Sequence, residues 1–171
     1  MSLNVETGAG SSVSESYVSV AEVDSYHLLR GNTTWATITT AEKEEACRRA
    51  IDYMQQVYHG QWLGYRKNDT QALDWPRSLV PRDDVYGYAY YSDSAIPQIL
   101  KNAQCELAWK AAHGELAPDL GQKVSREKID VIEIEYEKGS TQYIRYRAID
   151  NLLSSLLTGR SSGVFKQVVR A

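Results

Sequence analysis

A chain of 171 residues lies within the usual size of one domain and can bury a sizeable core without disulfide or metal staples. Its formal net charge of −3 and pI near 5.6 argue against a protein whose main work is neutralising phosphates, because that work demands a basic surface; local basic patches stay open. With 43% apolar and 24% charged residues and no apolar run of membrane-crossing length, the composition predicts a soluble globular protein.

Residues 1–16, MSLNVETGAGSSVSES, have neither a basic start nor an apolar stretch, so they do not read as a signal peptide. Their Gly and Ser content predicts a flexible amino-terminal arm. A first helix has a clear start: Ser19 as N-cap and Glu22 three residues on form a capping box, Val18 can staple onto Val23, and the run extends to about Arg30 before Gly31. Thr39 and Glu42 repeat the capping-box spacing for a longer helix to about Tyr58, with Gly60 as its stop. Ala46, Cys47, Ala50, Ile51, Met54, Val57 and Tyr58 share its apolar face, while Glu44/Arg48 and Glu45/Arg49 are spaced four apart in the favourable order.

A polar connection from Gln61 to Asp74 leads to Trp75-Pro76-Arg77. The proline biases Trp75 to an extended conformation and can donate no backbone hydrogen bond. Trp75 is expected to anchor the following aromatic loop, leaving Arg77 available for a carboxylate. A third helix starts at Pro97, a favoured first-turn residue, with Asp93 or Ser94 as upstream capping potential, and ends near His113. Its stripe of Ile96, Ile99, Leu100, Ala103, Leu107 and Ala111 makes it the central helix.

From Val124 to Tyr136 the period changes: Ile132, Ile134 and Tyr136 alternate with Glu133, Glu135 and Glu137, as in a strand with one wet face. Val124 to Ile129 is its partner in a small hairpin turning at Asp130-Val131. The helical period returns from Arg147, with Ile149, Leu152, Leu153, Leu156 and Leu157 on one side and Gly159 as terminator. The pattern predicts a mainly α single-domain bundle of about four helices with a small β-hairpin. It spans residues 17–159, followed by a carboxy-terminal arm, 160–171, whose end from Val164 to Val169 is β-prone.

No catalytic set emerges. His27, His59 and His113 lie apart with no second ligand at metal-site spacing, so no metal is assigned. Cys47 and Cys105 fall among packing residues and read as buried reduced thiols of a cytoplasmic protein rather than nucleophiles. The glutamates of the hairpin read as a solvated edge that deters wrong pairing. No phosphate-binding glycine motif is present, and no cofactor is expected.

The stretch from Trp62 to Tyr91 interleaves rings with cations and carries the candidate interface or DNA-contact residues: Arg66, Lys67, Trp75, Arg77, Arg82, Tyr86, Tyr88, Tyr90 and Tyr91, joined by Phe165 in the tail. Such a pattern can stack bases along a single strand. Tyrosine and tryptophan serve protein interfaces equally, and the acidic balance favours that reading.

Several blocks together resemble a family of small tailed-phage and prophage proteins. They are SYVSVAEVDSYHLLRGNTTW at Ser16–Trp35, RRAIDYM at Arg48–Met54, ALDWPR at Ala72–Arg77 and IPQILKNAQCELAW at Ile96–Trp109, with similarity continuing through EIEY, RYRAIDNLLSSLL and VVRA. The family is variously labelled head–tail connector (adaptor) and DnaT-like single-stranded-DNA-binding protein. The resemblance implies a helical subunit that forms a homo-oligomeric ring beneath the portal at the virion neck, made in the bacterial host cytoplasm, with portal and tail-completion proteins as partners and no membrane. Its acidic charge suits a connector, which needs no affinity for the DNA it surrounds; single-strand binding is the alternative. The chain departs from the family at Arg147, where proline is frequent.

Overall fold

The computed structural model describes residues 2–82, 84–118, 124–128, 133–136 and 144–158. Its elements run α1 (Val20–Leu28), α2 (Thr33–Ala36), α3 (Thr40–Tyr58), β1 (Tyr65–Arg66), β2 (Arg77–Ser78), α4 (Gln98–His113), β3 (Val124–Lys128), β4 (Glu133–Tyr136) and α5 (Arg147–Leu153), with a 3-10 turn at Ser154–Leu156. The architecture is the expected mainly helical bundle with a small antiparallel hairpin, in which Lys128 pairs with Glu133 and Glu127 with Ile134. The hairpin's turn, Gly159 and the carboxy-terminal arm lie outside the described residues. The four-residue α2 was not anticipated; it carries Trp35 into the core.

Both capping boxes form. The Ser19 hydroxyl accepts from Glu22 N and the Glu22 carboxylate accepts from Ser19 N, and Thr39 and Glu42 repeat the exchange at α3. Helix α4 starts after Pro97 without a side-chain cap, so neither Asp93 nor Ser94 supplies one. Helix α5 also begins uncapped, at Tyr146, one residue before Arg147. The predicted faces of α3 and α4 meet: Ala46, Cys47, Ala50, Ile51 and Met54 are buried, as are Leu100, Ala103, Leu107 and Ala111, and Leu153 and Ile149 of α5 close the same core. The two thiols are buried and free, and burial pushes each up to about 12.

One polar side chain joins three parts of this core. Gln104 of α4 has no exposed surface; its Oε1 accepts from Tyr17 N at 2.9 Å, and its Nε2 donates to Ser16 Oγ at 2.7 Å and to Cys47 O at 3.2 Å. The amino-terminal segment, α3 and α4 are thereby held at one point with every amide group satisfied.

The amino-terminal residues are not the flexible arm that their composition predicts. Glu6 is 2% exposed, and its carboxylate accepts from the N–H groups of Gly8, Gly10 and Ser11 and from the Ser14 hydroxyl at 2.8–3.0 Å. Burial alone would raise its pKa, but these donors outweigh it and hold the carboxyl below its ordinary value. Gly8 sits at φ 101° with its Cα against the Ser94 backbone, where a Cβ has no room. Glycine and serine here serve a turn that wraps its own carboxylate. Glu15 extends the attachment by pairing with Arg48 of α3 at 3.0 Å.

His27, at the end of α1, is 1% exposed. Its Nε2 lies 3.1 Å from Cys105 O, which can only accept, and its Nδ1 lies 2.9 Å from the Asn32 amide nitrogen, which donates. The ring is therefore neutral with the proton on Nε2, and burial lowers its pKa from the usual 6.5. With the folded pKa below the unfolded one, the unfolded chain takes up the proton first, so this contribution is complete above about pH 6.5 and is lost as pH falls below it. The carboxyls of Glu6, Glu15 and Glu22, all lowered, add a second loss only below about pH 4.5. Urea midpoints measured from pH 7.5 to 5 should fall, and His27→Gln should flatten the profile in that window; an unchanged slope in the variant would remove His27 from this role.

Candidate nucleic-acid interface

The stretch that carries the candidate residues begins where α3 stops at His59 and Gly60. Trp62 packs into the core, and the chain returns through the two-residue ladder of β1 with β2, where Tyr65 faces Ser78 and Arg66 faces Arg77. Gly64, at φ 67°, lies against the Ser78 backbone and leaves that turn no space for a side chain. The Trp75-Pro76 peptide is cis, and Trp75 is completely buried. Its ring stands edge-on to Trp62 at 6.1 Å and to Tyr91 at 6.3 Å, and Trp62 in turn contacts Tyr58 at 5.8 Å. The indole is thus the anchor predicted for it, and it offers no surface to a ligand.

Three of the four candidate cations also turn inward. Arg77 does not wait for a carboxylate: its guanidinium donates to Leu63 O and Gly64 O at 2.8 Å each and to Asp74 O at 3.2 Å. Arg66 donates through Nη2 to Gln71 O and Leu73 O. Lys67 Nζ donates to Gly8 O at 3.1 Å. Backbone carbonyls that the turns leave unpaired have recruited these charges, since an arginine fork can satisfy several at once. The nearby Asp74 carboxylate is buried and accepts from Trp62 Nε1 at 3.0 Å while lying 2.9 Å from His59 Nδ1.

The tyrosine loop, residues 81–91, is different. A Pro81–Tyr90 bridge and the bonds Arg82 N to Ala89 O and Tyr91 N to Val80 O close its base. Beyond that base Tyr86 and Tyr88 are fully exposed on either side of Gly87, and Tyr90 is 55% exposed. Arg82 lies 5.1 Å over the Tyr91 ring, and its Nη2 is 3.6 Å from the Asp84 carboxylate. The structure therefore divides the predicted set in three. Trp75, Arg66, Lys67 and Arg77 are structural, Tyr91 and Arg82 form the base of the loop, and Tyr86, Tyr88 and Tyr90 are free. Phe165 lies outside the described residues.

Among the described residues no group of three or more His, Cys, Asp or Glu side chains is placed to hold a metal, and no helix is long and apolar enough to cross a membrane.

Two substitutions test the internal assignments by denaturant unfolding. Trp75→Ala should cost about 3–5 kcal/mol, the usual loss for a buried large aromatic. Arg77→Lys keeps the charge but cannot reach all three carbonyls, so it should cost about 2 kcal/mol, in the range of hydrogen bonds made by charged groups. A neutral Arg77→Lys would return that side chain to the pool of free cations.

Neither curated proteins nor solved structures include a match to the chain. A family model described as "Putative DnaT-like ssDNA binding protein" matches residues 1–171, an extent that includes the amino-terminal turn, the Trp75 anchor and the tyrosine loop alike. The chain belongs to this DnaT-like single-stranded-DNA-binding family.

Proposed function

We propose that the protein binds single-stranded DNA through base stacking on the tyrosine loop rather than through neutralisation of phosphates. The observation that carries this reading is the full exposure of Tyr86 and Tyr88, with Tyr90 beside them, while Tyr17, Trp35, Tyr53, Tyr58, Trp62 and Trp75 are buried. Aromatic rings accept any base, so such a site is tolerant of sequence, and each base–ring stack contributes about 1–3 kcal/mol. The family description supports the ligand class. Because Arg66, Lys67 and Arg77 are occupied by backbone carbonyls and Asp84 stands beside Arg82, affinity should be modest and depend little on salt. Few counterions are released when few phosphates are contacted.

A second reading, a head–tail connector subunit in a neck ring of a phage or prophage, is favoured by one different observation. Leu28 and Leu29 are 80% and 84% exposed at the end of α1, side chains suited to protein contact rather than to DNA. In that role the net charge of −3 suits a subunit that lines a DNA passage without holding it, and the portal and tail-completion proteins would be its partners.

Titration of a fluorescent single-stranded oligonucleotide separates the two. The first reading expects saturable binding that Tyr86→Ala with Tyr88→Ala weakens by about tenfold or more, equivalent to about 1.4 kcal/mol, and that changes little between low and high salt. Absence of binding by the unaltered protein would sink it and leave the connector. A steep salt dependence abolished by replacing Arg66 and Lys67 would instead restore a phosphate-binding role to those cations.

A further inference from the structure

The exposed end of α1 borders a groove of about 360 Å³ between α1, α2 and the start of α3. Leu28 and Ala36 give it exposed apolar walls over the buried Trp35, and Asn32, Asp24 and Lys43 supply its polar positions. Asp24 Oδ1 already accepts from Trp35 Nε1 at 2.7 Å and pairs with Lys43 at 2.9 Å, while Oδ2 has no partner among the described residues. The groove therefore offers an apolar floor and one carboxylate oxygen able to accept a hydrogen bond. Its size suits an inserted side chain or two, not a helix.

The same molecule carries a complement. The tyrosine loop projects Val85, Tyr86 and Tyr88, which join apolar rings to phenol O–H donors. Tyr86 and Tyr88 are fully exposed, so the loop does not fill the groove of its own chain. Loop and groove also sit at different places along α4. The loop leads into the helix at Pro97, whereas the groove's surroundings touch it further on, through His27 to Cys105 O and Trp109 to Thr34. From Pro97 to Trp109 is about 18 Å at 1.5 Å per residue.

We propose that the tyrosine loop of one copy docks in the α1–α2 groove of a second copy, with a tyrosine ring against Leu28 and Ala36 and its hydroxyl donating to Asp24 Oδ2. Because the two surfaces differ, the contact passes from copy to copy, ending in a ring or an open chain according to the rotation between neighbours. This contact uses the tyrosines assigned above to bases, so self-association and DNA binding compete for them.

Sedimentation of the full chain tests the contact. The unaltered protein should associate reversibly at roughly 0.1–1 mM, where a weak contact with a dissociation constant in that range becomes populated. The loop variant Tyr86→Ala with Tyr88→Ala keeps an intact groove, and the groove variant Leu28→Arg keeps an intact loop. All three altered side chains are exposed, so both variants should fold, checked by circular dichroism, with Ala36→Arg replacing Leu28→Arg should that one unfold. Each variant alone should remain monomeric, and an equimolar mixture should recover a dimer and nothing larger, because one intact loop–groove pair remains. A monomeric unaltered protein, continued association by either variant, or a mixture that stays monomeric overturns the proposal. At micromolar protein, about a hundredfold below the associating concentrations, Leu28→Arg should keep the oligonucleotide affinity of the unaltered chain, which makes failure of this contact distinguishable from failure of the stacking reading.

Discussion

Burial of Trp75 is the constraint on which the middle of this molecule depends. A completely buried indole must be surrounded, and the chain on both sides is arranged to do so: Trp62 and Tyr91 meet its edges, Tyr17 Oη accepts from its backbone N–H at 3.2 Å, and the adjacent Asp74 is held by Trp62. A segment with only a two-residue ladder for regular structure has little backbone pairing of its own. Side chains therefore take over what a sheet would otherwise provide, and the arginine forks at Arg66 and Arg77 satisfy carbonyls that no strand reaches.

That arrangement decides the electrostatics of the surface. Cations that would attract a phosphate backbone are used internally, while rings that need no counter-charge project outward. A chain of slight negative charge can still hold a base by its face, but it draws little help from long-range attraction. The tyrosine loop thus has the chemistry of a contact made at short range and without steering, whether its partner is a base or an apolar groove.

Much of the helical framework was legible because its signals are local. Ser19 with Glu22 and Thr39 with Glu42 mark starts within four residues, Pro97 marks another, and the alternation of Glu133 to Tyr136 identifies the strand that pairs with Val124–Lys128. The misreadings share a different cause. In residues 4–16 glycine and serine resemble a linker by composition, and only the fold reveals that they enclose the Glu6 carboxylate. Arg77 and Lys67 look free in a sequence because their acceptors are backbone carbonyls, which every residue has and no pattern marks. Gln104 is hidden for a similar reason, since a polar residue on an apolar stripe gives no sign that the amino terminus will meet it. The buried anchor Trp75 was legible, whereas the division of its neighbours into inward cations and outward tyrosines was not.

The distribution of aromatic side chains also separates two optical signals. Trp35, Trp62 and Trp75 are at most 4% exposed, while Tyr86 and Tyr88 are fully exposed. Tryptophan emission in this protein therefore reports mainly on the core, against which the fourth indole, the partly buried Trp109, also packs, and it shifts when the core opens. Events at the loop act first on tyrosine absorbance and on energy passed inward through Tyr91 to Trp75, whose rings are 6.3 Å apart. Folding and occupancy of the loop can thus be followed in a single sample without an added label.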